Sequence, residues 1–139
     1  MTRINLIPPA DLTDQHLIAE YREMTMVPAA LNRTLNSSKG LVKTKISKQY
    51  TLNTGHVYFF YDKGKYLKER YDSLVQEMKD RGMNPDPNRI FPTEVFKQNK
   101  LYGDWKPNTK EININLQRIN KRISQKPDWY RHTKGKVNG

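Results

Sequence analysis

The sequence predicts a mainly α fold, and three observations carry that prediction. Apolar residues recur at spacings of three and four in three separate stretches. Glycine, proline or a polar cluster stands where each stretch should stop. The remaining chain alternates too poorly to read as paired strands. At 139 residues, residues 1–139 are expected to form a single compact domain: three helices packed together, joined by long irregular loops.

The first helical segment should open near Asp14, with Thr13 and Asp14 as caps, and carry Leu17, Tyr21, Met24, Leu31 and Leu35 inward. Pro28 should kink or interrupt it, because proline lacks an N–H and its ring crowds the preceding turn. The cluster Asn36-Ser37-Ser38-Lys39-Gly40 should end it. A second helix is expected over about 64–81, with the stripe Leu67, Tyr71, Leu74, Met78 and with Gly82 as a left-handed cap. A third is expected over about 108–125, with the stripe Ile112, Leu116, Ile119, Ile123, ending before Pro127. Val42 to Tyr61 reads as extended coil with at most a short strand. Met83 to Pro107 holds prolines 85, 87, 92 and 107 and reads as loop with one helical turn near Thr93–Gln98.

Composition narrows the function. Hydrophobic residues make up 35% of the chain, so the core is thin. Lys and Arg number 25 against 14 Asp and Glu, a net charge of +11. That charge is the footprint of a polyanion binder, with nucleic acid as the leading partner. Residues 100–139 hold ten Lys/Arg and three Asp/Glu, a net +7. There Arg118, Lys121 and Arg122 form a basic flank, and Trp129, Tyr130 and Arg131 mix aromatic rings with cations. Cations neutralise phosphates, and aromatic rings stack on bases. With no cysteine, thiol nucleophiles and Cys-based zinc sites are excluded. The three histidines show no metal-ligand spacing, so no metal and no cofactor is expected. No apolar run suits a signal peptide or a membrane span, so an intracellular protein without a membrane partner is expected.

One stretch carries chemistry. Thr2 is small, so removal of Met1 should leave a free α-amine beside Arg3. An α-amine has a pKa of about 7.7–8.0, which leaves part of it neutral and nucleophilic near neutral pH. On the following helix, Glu23 lies about 20° around from His16, and Arg22 about 20° from Gln15. One polar flank thus presents His16 and Glu23. Spacing alone also fits an ordinary solvated face.

Taken in order, Thr2-Arg3-Ile4-Asn5-Leu6, Asp14-Gln15-His16-Leu17, Ala19-Glu20-Tyr21-Arg22-Glu23, Gly55-His56-Val57, Phe59-Phe60-Tyr61-Asp62-Lys63 and Trp129-Tyr130 resemble the pyrimidine-dimer DNA glycosylases of the phage endonuclease V type. The resemblance runs the length of the chain. It implies a small helical monomer that acts without metal on duplex DNA carrying ultraviolet lesions or abasic sites. It implies a glycosylase and an abasic-site lyase in one site. By position, Thr2 is the nucleophile and Glu23 the essential carboxylate. Arg3 and Arg22 bind phosphates beside the lesion, His16 sits close by, and Arg118 and Arg122 fall where the family has basic residues on its third helix. The best-known members have an arginine where Met26 stands here, and a tail richer in tyrosine. An abasic-site lyase with a shifted lesion range, or a non-catalytic DNA-binding module, are the alternative expectations.

Overall fold

The computed structural model describes residues 4–52 and 54–133. Among them the chain is helical, as the periodicity predicts. The α-helices are α1 (Asp14–Met24), α2 (Met26–Leu35), α3 (His56–Phe59), α4 (Gly64–Asp80), α5 (Glu94–Gln98) and α6 (Thr109–Gln125). Short 3-10 turns cover Pro9–Asp11 and Lys43–Lys45. The described residues contain no named strand, only one antiparallel bridge between Lys63 and Tyr102.

The predicted first helix is two helices that meet at Thr25. Pro28 causes the break, three residues upstream of itself. It has no N–H for the carbonyl of Met24, and its ring would clash there, so the ladder stops where that carbonyl stands. Inside α2, Pro28 occupies the first turn, where an N–H is dispensable. The Val42–Tyr61 stretch also departs from expectation. Its aromatic run forms the single turn α3 rather than extended chain, started by Gly55 at φ +94. The amides of Phe59 and Phe60 bond locally to Gly55 and Val57 carbonyls, 2.9 and 3.1 Å away. Local turns therefore satisfy a backbone that β-propensity would assign to a sheet.

α4 matches the sequence closely. Leu67, Tyr71, Leu74 and Met78 are all buried. Its end is a Schellman cap: Gly82, at φ +81, donates to Lys79 O (3.0 Å) and Met83 to Met78 O (2.9 Å). α4 packs against α1 through Leu17, Tyr21 and Met24, and a cluster of Tyr50, Phe59, Phe60, Tyr66 and Trp105 closes the other side of the core. Gly64 is required by this packing, since a Cβ there would stand 2.5 Å from the Phe96 ring.

α6 begins with the capping box formed by Asn108 and Glu111. Its buried face differs from its apolar stripe. Glu111, Asn115 and Ile119 are buried, Ile112 and Ile123 are half-buried, and Leu116 is 38% exposed. The helix is turned toward its polar side because that side is tied down. Glu111 Oε2 accepts from Tyr50 N–H (2.8 Å), and Asn115 Oδ1 accepts from Leu6 N–H (2.6 Å). The turn has a consequence for the site, because Arg122 and Arg118 lie about 20° and about 60° around from Asn115.

Candidate active site

The segment Ile4–Ile7 is buried and has no partner strand, so its backbone groups must find side chains. Ile4 N–H donates to His56 Nε2 (2.8 Å), and the Tyr50 hydroxyl donates to Ile4 O (2.8 Å). The other ring nitrogen of His56 donates to Thr51 O (2.7 Å), which makes His56 neutral with its proton on Nδ1. Asn115 receives Leu6 N–H and gives its own amide proton to Asn5 Oδ1 (2.8 Å). Asn5 Nδ2 then donates to Glu20 Oε1 (2.9 Å). Glu20 is held by Arg70 through a two-pronged ion pair of 2.8 and 2.9 Å, and Arg70 Nη1 also donates to Ile7 O (2.6 Å). Burial works against the Arg70 charge, but Glu20 more than compensates and holds its pKa above the ordinary value. One continuous polar network therefore links α6, the N-terminal segment, α1 and α4.

One turn beyond Glu20, Glu23 lines a pocket of about 200 Å³. Asn5, His16, Ala19, Glu20, Arg118, Arg122 and Tyr130 line it as well. α1 thus presents His16 and Glu23 together, as their helical spacing predicts. Thr13 caps α1 by accepting His16 N–H (3.1 Å), and its hydroxyl lies 2.7 Å from His16 Nδ1. The imidazole stacks on the Tyr130 ring, with centroids 4.8 Å apart and planes 3° from parallel. Burial, joined by the charges of Arg118 and Arg122, lowers the His16 pKa to about 4. His16 is therefore a neutral polar wall at pH 7, not a cation. Glu20 is already matched by Arg70, so the charges facing the pocket are Glu23 against Arg118 and Arg122.

Arg22, Lys121, Trp129 and Arg131 stand apart from this pocket. Arg22 is exposed and lines a separate depression with Tyr21 and Arg89. Lys121 is exposed, about 120° around α6 from Asn115. Trp129 is 53% exposed, edge-on to Tyr130 and capped by Lys126 Nζ at 5.7 Å from its ring centre. Arg131 is exposed, and among the described residues its backbone rather than its guanidinium is engaged. Thr2 and Arg3 lie outside the described residues.

The sequence reading gave Gln15 no role. In the structure its amide holds the tail: Nε2 donates to Trp129 O (2.7 Å) and Oε1 accepts from Arg131 N–H (3.1 Å). This two-ended clamp sets Tyr130, the residue between, against His16. The tail is secured further by Thr133, which donates twice to the Asp14 carboxylate, and by His132, whose Nε2–H donates to Ala10 O (2.8 Å). Burial works to raise the Asp14 pKa, but the hydrogen bonds from Thr133 and the guanidinium of Arg81 outweigh it and keep it below 3.8. No local pattern announces these contacts, since Gln15 and Arg131 are 116 residues apart.

Among the described residues, no three His, Cys, Asp or Glu side chains group as a metal site, and no helix is long and apolar enough to cross a membrane. The pocket instead combines a carboxylate, two guanidiniums and an aromatic wall beside a backbone segment that is fixed in place. Such a site suits an anionic substrate with a centre that gains positive charge. The family model of pyrimidine dimer DNA glycosylases matches residues 1–91, which include Ile4–Ile7, α1 and α4. By that match the chain belongs to the pyrimidine dimer DNA glycosylase family, whose members are enzymes acting on DNA.

Proposed function

We propose that this protein cuts the glycosidic bond of the 5′ base of a cyclobutane pyrimidine dimer in duplex DNA, leaving that base joined to its 3′ partner, and then cuts the strand as an abasic-site lyase, acting as a monomer. In this reading the Thr2 α-amine attacks C1′ of the 5′ sugar of the dimer. The glycosidic bond breaks, and its electron pair leaves with the base. As that bond breaks the sugar gains oxocarbenium character, which the Glu23 carboxylate stabilises. The covalent amine then forms an imine with the opened sugar. Glu23 removes a proton from C2′, the electrons form a double bond, and the 3′ phosphate leaves. An imine supplies the electron sink that elimination needs.

The observation that carries the reading is the alignment of Glu23, Arg118 and Arg122 around one pocket whose wall includes Asn5. The nitrogen of the preceding residue, Ile4, is pinned by His56. Two residues of chain span at most about 7 Å, so covalent geometry bounds the reach of an amine on Thr2 from the Ile4 nitrogen. Arginines near an amine favour its neutral form and so its nucleophilicity. The two arginines also suit the phosphates beside the lesion, and a dimer weakens stacking, which lowers the cost of distorting the duplex there.

The test is borohydride trapping on duplexes that carry one defined dimer or one abasic site. The expected result is a covalent adduct that mass mapping assigns to the Thr2 nitrogen. Glu23→Gln should retain duplex binding and lose strand cleavage. No adduct on either duplex, or an adduct mapped to a lysine, would overturn the amine assignment; full cleavage by Glu23→Gln would overturn the carboxylate.

A further inference from the structure

We infer that Arg89 is a phosphate-binding residue for the DNA backbone, preset at the α1–α2 junction with one edge of its guanidinium turned to use outside the protein. The inference rests on the chain being a duplex-DNA enzyme and adds a contact on a face separate from the Glu23 pocket.

The loop that carries Arg89 is fixed by two tyrosines. Asp86 N–H donates to the Tyr21 hydroxyl (2.9 Å), and the Tyr71 hydroxyl donates to Arg89 O (2.8 Å). Arg89 N–H closes the turn onto Asp86 O (3.1 Å). The side chain then lies over the Tyr21 ring, 5.2 Å from its centre. Its Nη1 donates to Thr25 Oγ1 (3.2 Å) and to Arg22 O (3.4 Å). Both acceptors are neutral, and Arg22 O is one of the last carbonyls of α1, where a cation is favoured.

An arginine has five N–H donors in a rigid plane. Nη1 uses its two on the protein. Nε and Nη2 donate to no described residue, and together they form the side-on fork that matches two phosphate oxygens. The charge is also unspent, since neither Arg89 nor Arg22 takes part in an ion pair among the described residues. The acid that lines the same depression, Asp86, is beyond ion-pair distance and accepts instead from Asn88 N–H (2.9 Å). Two guanidiniums without a carboxylate partner therefore share one depression of about 360 Å³ at the end of the helix that bears Glu23. Held in this way, Arg89 loses little freedom when a phosphate arrives.

The test compares the wild type with Arg89→Ala, Arg89→Gln and Arg89→Lys on a duplex carrying a non-cleavable abasic analogue. Dissociation constants are measured across a salt series. Arg89→Ala and Arg89→Gln should weaken binding about tenfold near 0.1 M salt and make the salt slope shallower by about one. Arg89→Lys, a point charge without the fork, should restore the slope but only part of the affinity. If Arg89→Gln binds with wild-type affinity and slope while Arg89→Ala does not, Arg89 only braces α1, and the inference falls. It falls equally if all three variants bind as wild type does. A wild type that binds the duplex without salt dependence would overturn the duplex reading itself.

Discussion

Two stretches of chain meet at the pocket, and they are held there by opposite means. Ile4–Ile7 is buried, and its backbone is tied by His56, Tyr50, Asn115 and Arg70, each far away in the sequence. Residues 129–133 are exposed or half-buried except for the buried His132, and are tied by Gln15, Asp14 and Ala10, all within one short stretch around the start of α1. Buried bonds hold position at high cost if broken, because an orphaned buried group has no water to turn to. Exposed bonds can exchange with water at lower cost. The pocket thus has one wall tied by buried bonds and one tied mainly by partly buried and exposed bonds.

The wall tied by buried bonds should break hardest at its ion pair. Arg70→Met would leave Glu20 buried without a partner and should cost about 3–5 kcal/mol of stability in chemical denaturation. Replacing both, as Arg70→Met with Glu20→Leu, should recover much of that loss. A cost below about 1 kcal/mol for the single change would mean that the network holds nothing in place.

The more exposed wall should respond far less. Gln15→Ala removes two exposed hydrogen bonds and should cost about 1 kcal/mol or less. Its signature is local: faster hydrogen exchange at the Arg131 amide, with trapping on abasic DNA retained. Equal protection of that amide in variant and wild type would show that Gln15 is not the clamp.

A third effect, set by pH, lies in the pocket lining at His16. Its pKa is lowered from 6.5 to about 4 in the folded chain, so between those values the unfolded chain binds more protons. Stability should therefore be complete above about pH 6.5 and decline as pH falls toward 4. His16→Asn should flatten that part of the profile; an unchanged slope would assign it elsewhere. Asp14, whose carboxyl is also held below its usual value, should add a further loss only in stronger acid. Duplex phosphates that neutralise Arg118 and Arg122 should raise the His16 pKa, as a titration followed by NMR would register.

The contrast also marks what a sequence makes legible. Where an element depends on its own neighbours, the reading holds: the α4 stripe, its Gly82 cap and the break forced by Pro28 follow from local rules. The facing of His16 and Glu23 on α1 does too. What depends on distant partners is hidden. The rotation of α6 comes from Asn115 meeting Leu6, 109 residues away, and it overrides the Ile112–Leu116–Ile119–Ile123 stripe. The helical turn in the aromatic run at 56–59 and the Gln15 clamp are likewise outcomes of packing rather than of pattern. The charges of Lys121 and Arg131 look equivalent to that of Arg122 in sequence, and only the rotation of α6 and the path of the tail separate them from the pocket.

The anchoring of Ile4 turns the start of the chain into a length gauge. Because His56 and Tyr50 fix where that residue sits, everything before it is measured in whole links of about 3.5 Å. A single glycine inserted between Arg3 and Ile4 would leave the buried network untouched and the melting temperature nearly unchanged. On the proposed mechanism it would nevertheless shift the reach of the Thr2 amine by one link, more than the tolerance of a bond-forming step. Such a protein should fold, bind duplex DNA and turn over poorly, with reach rather than composition as the quantity that was altered.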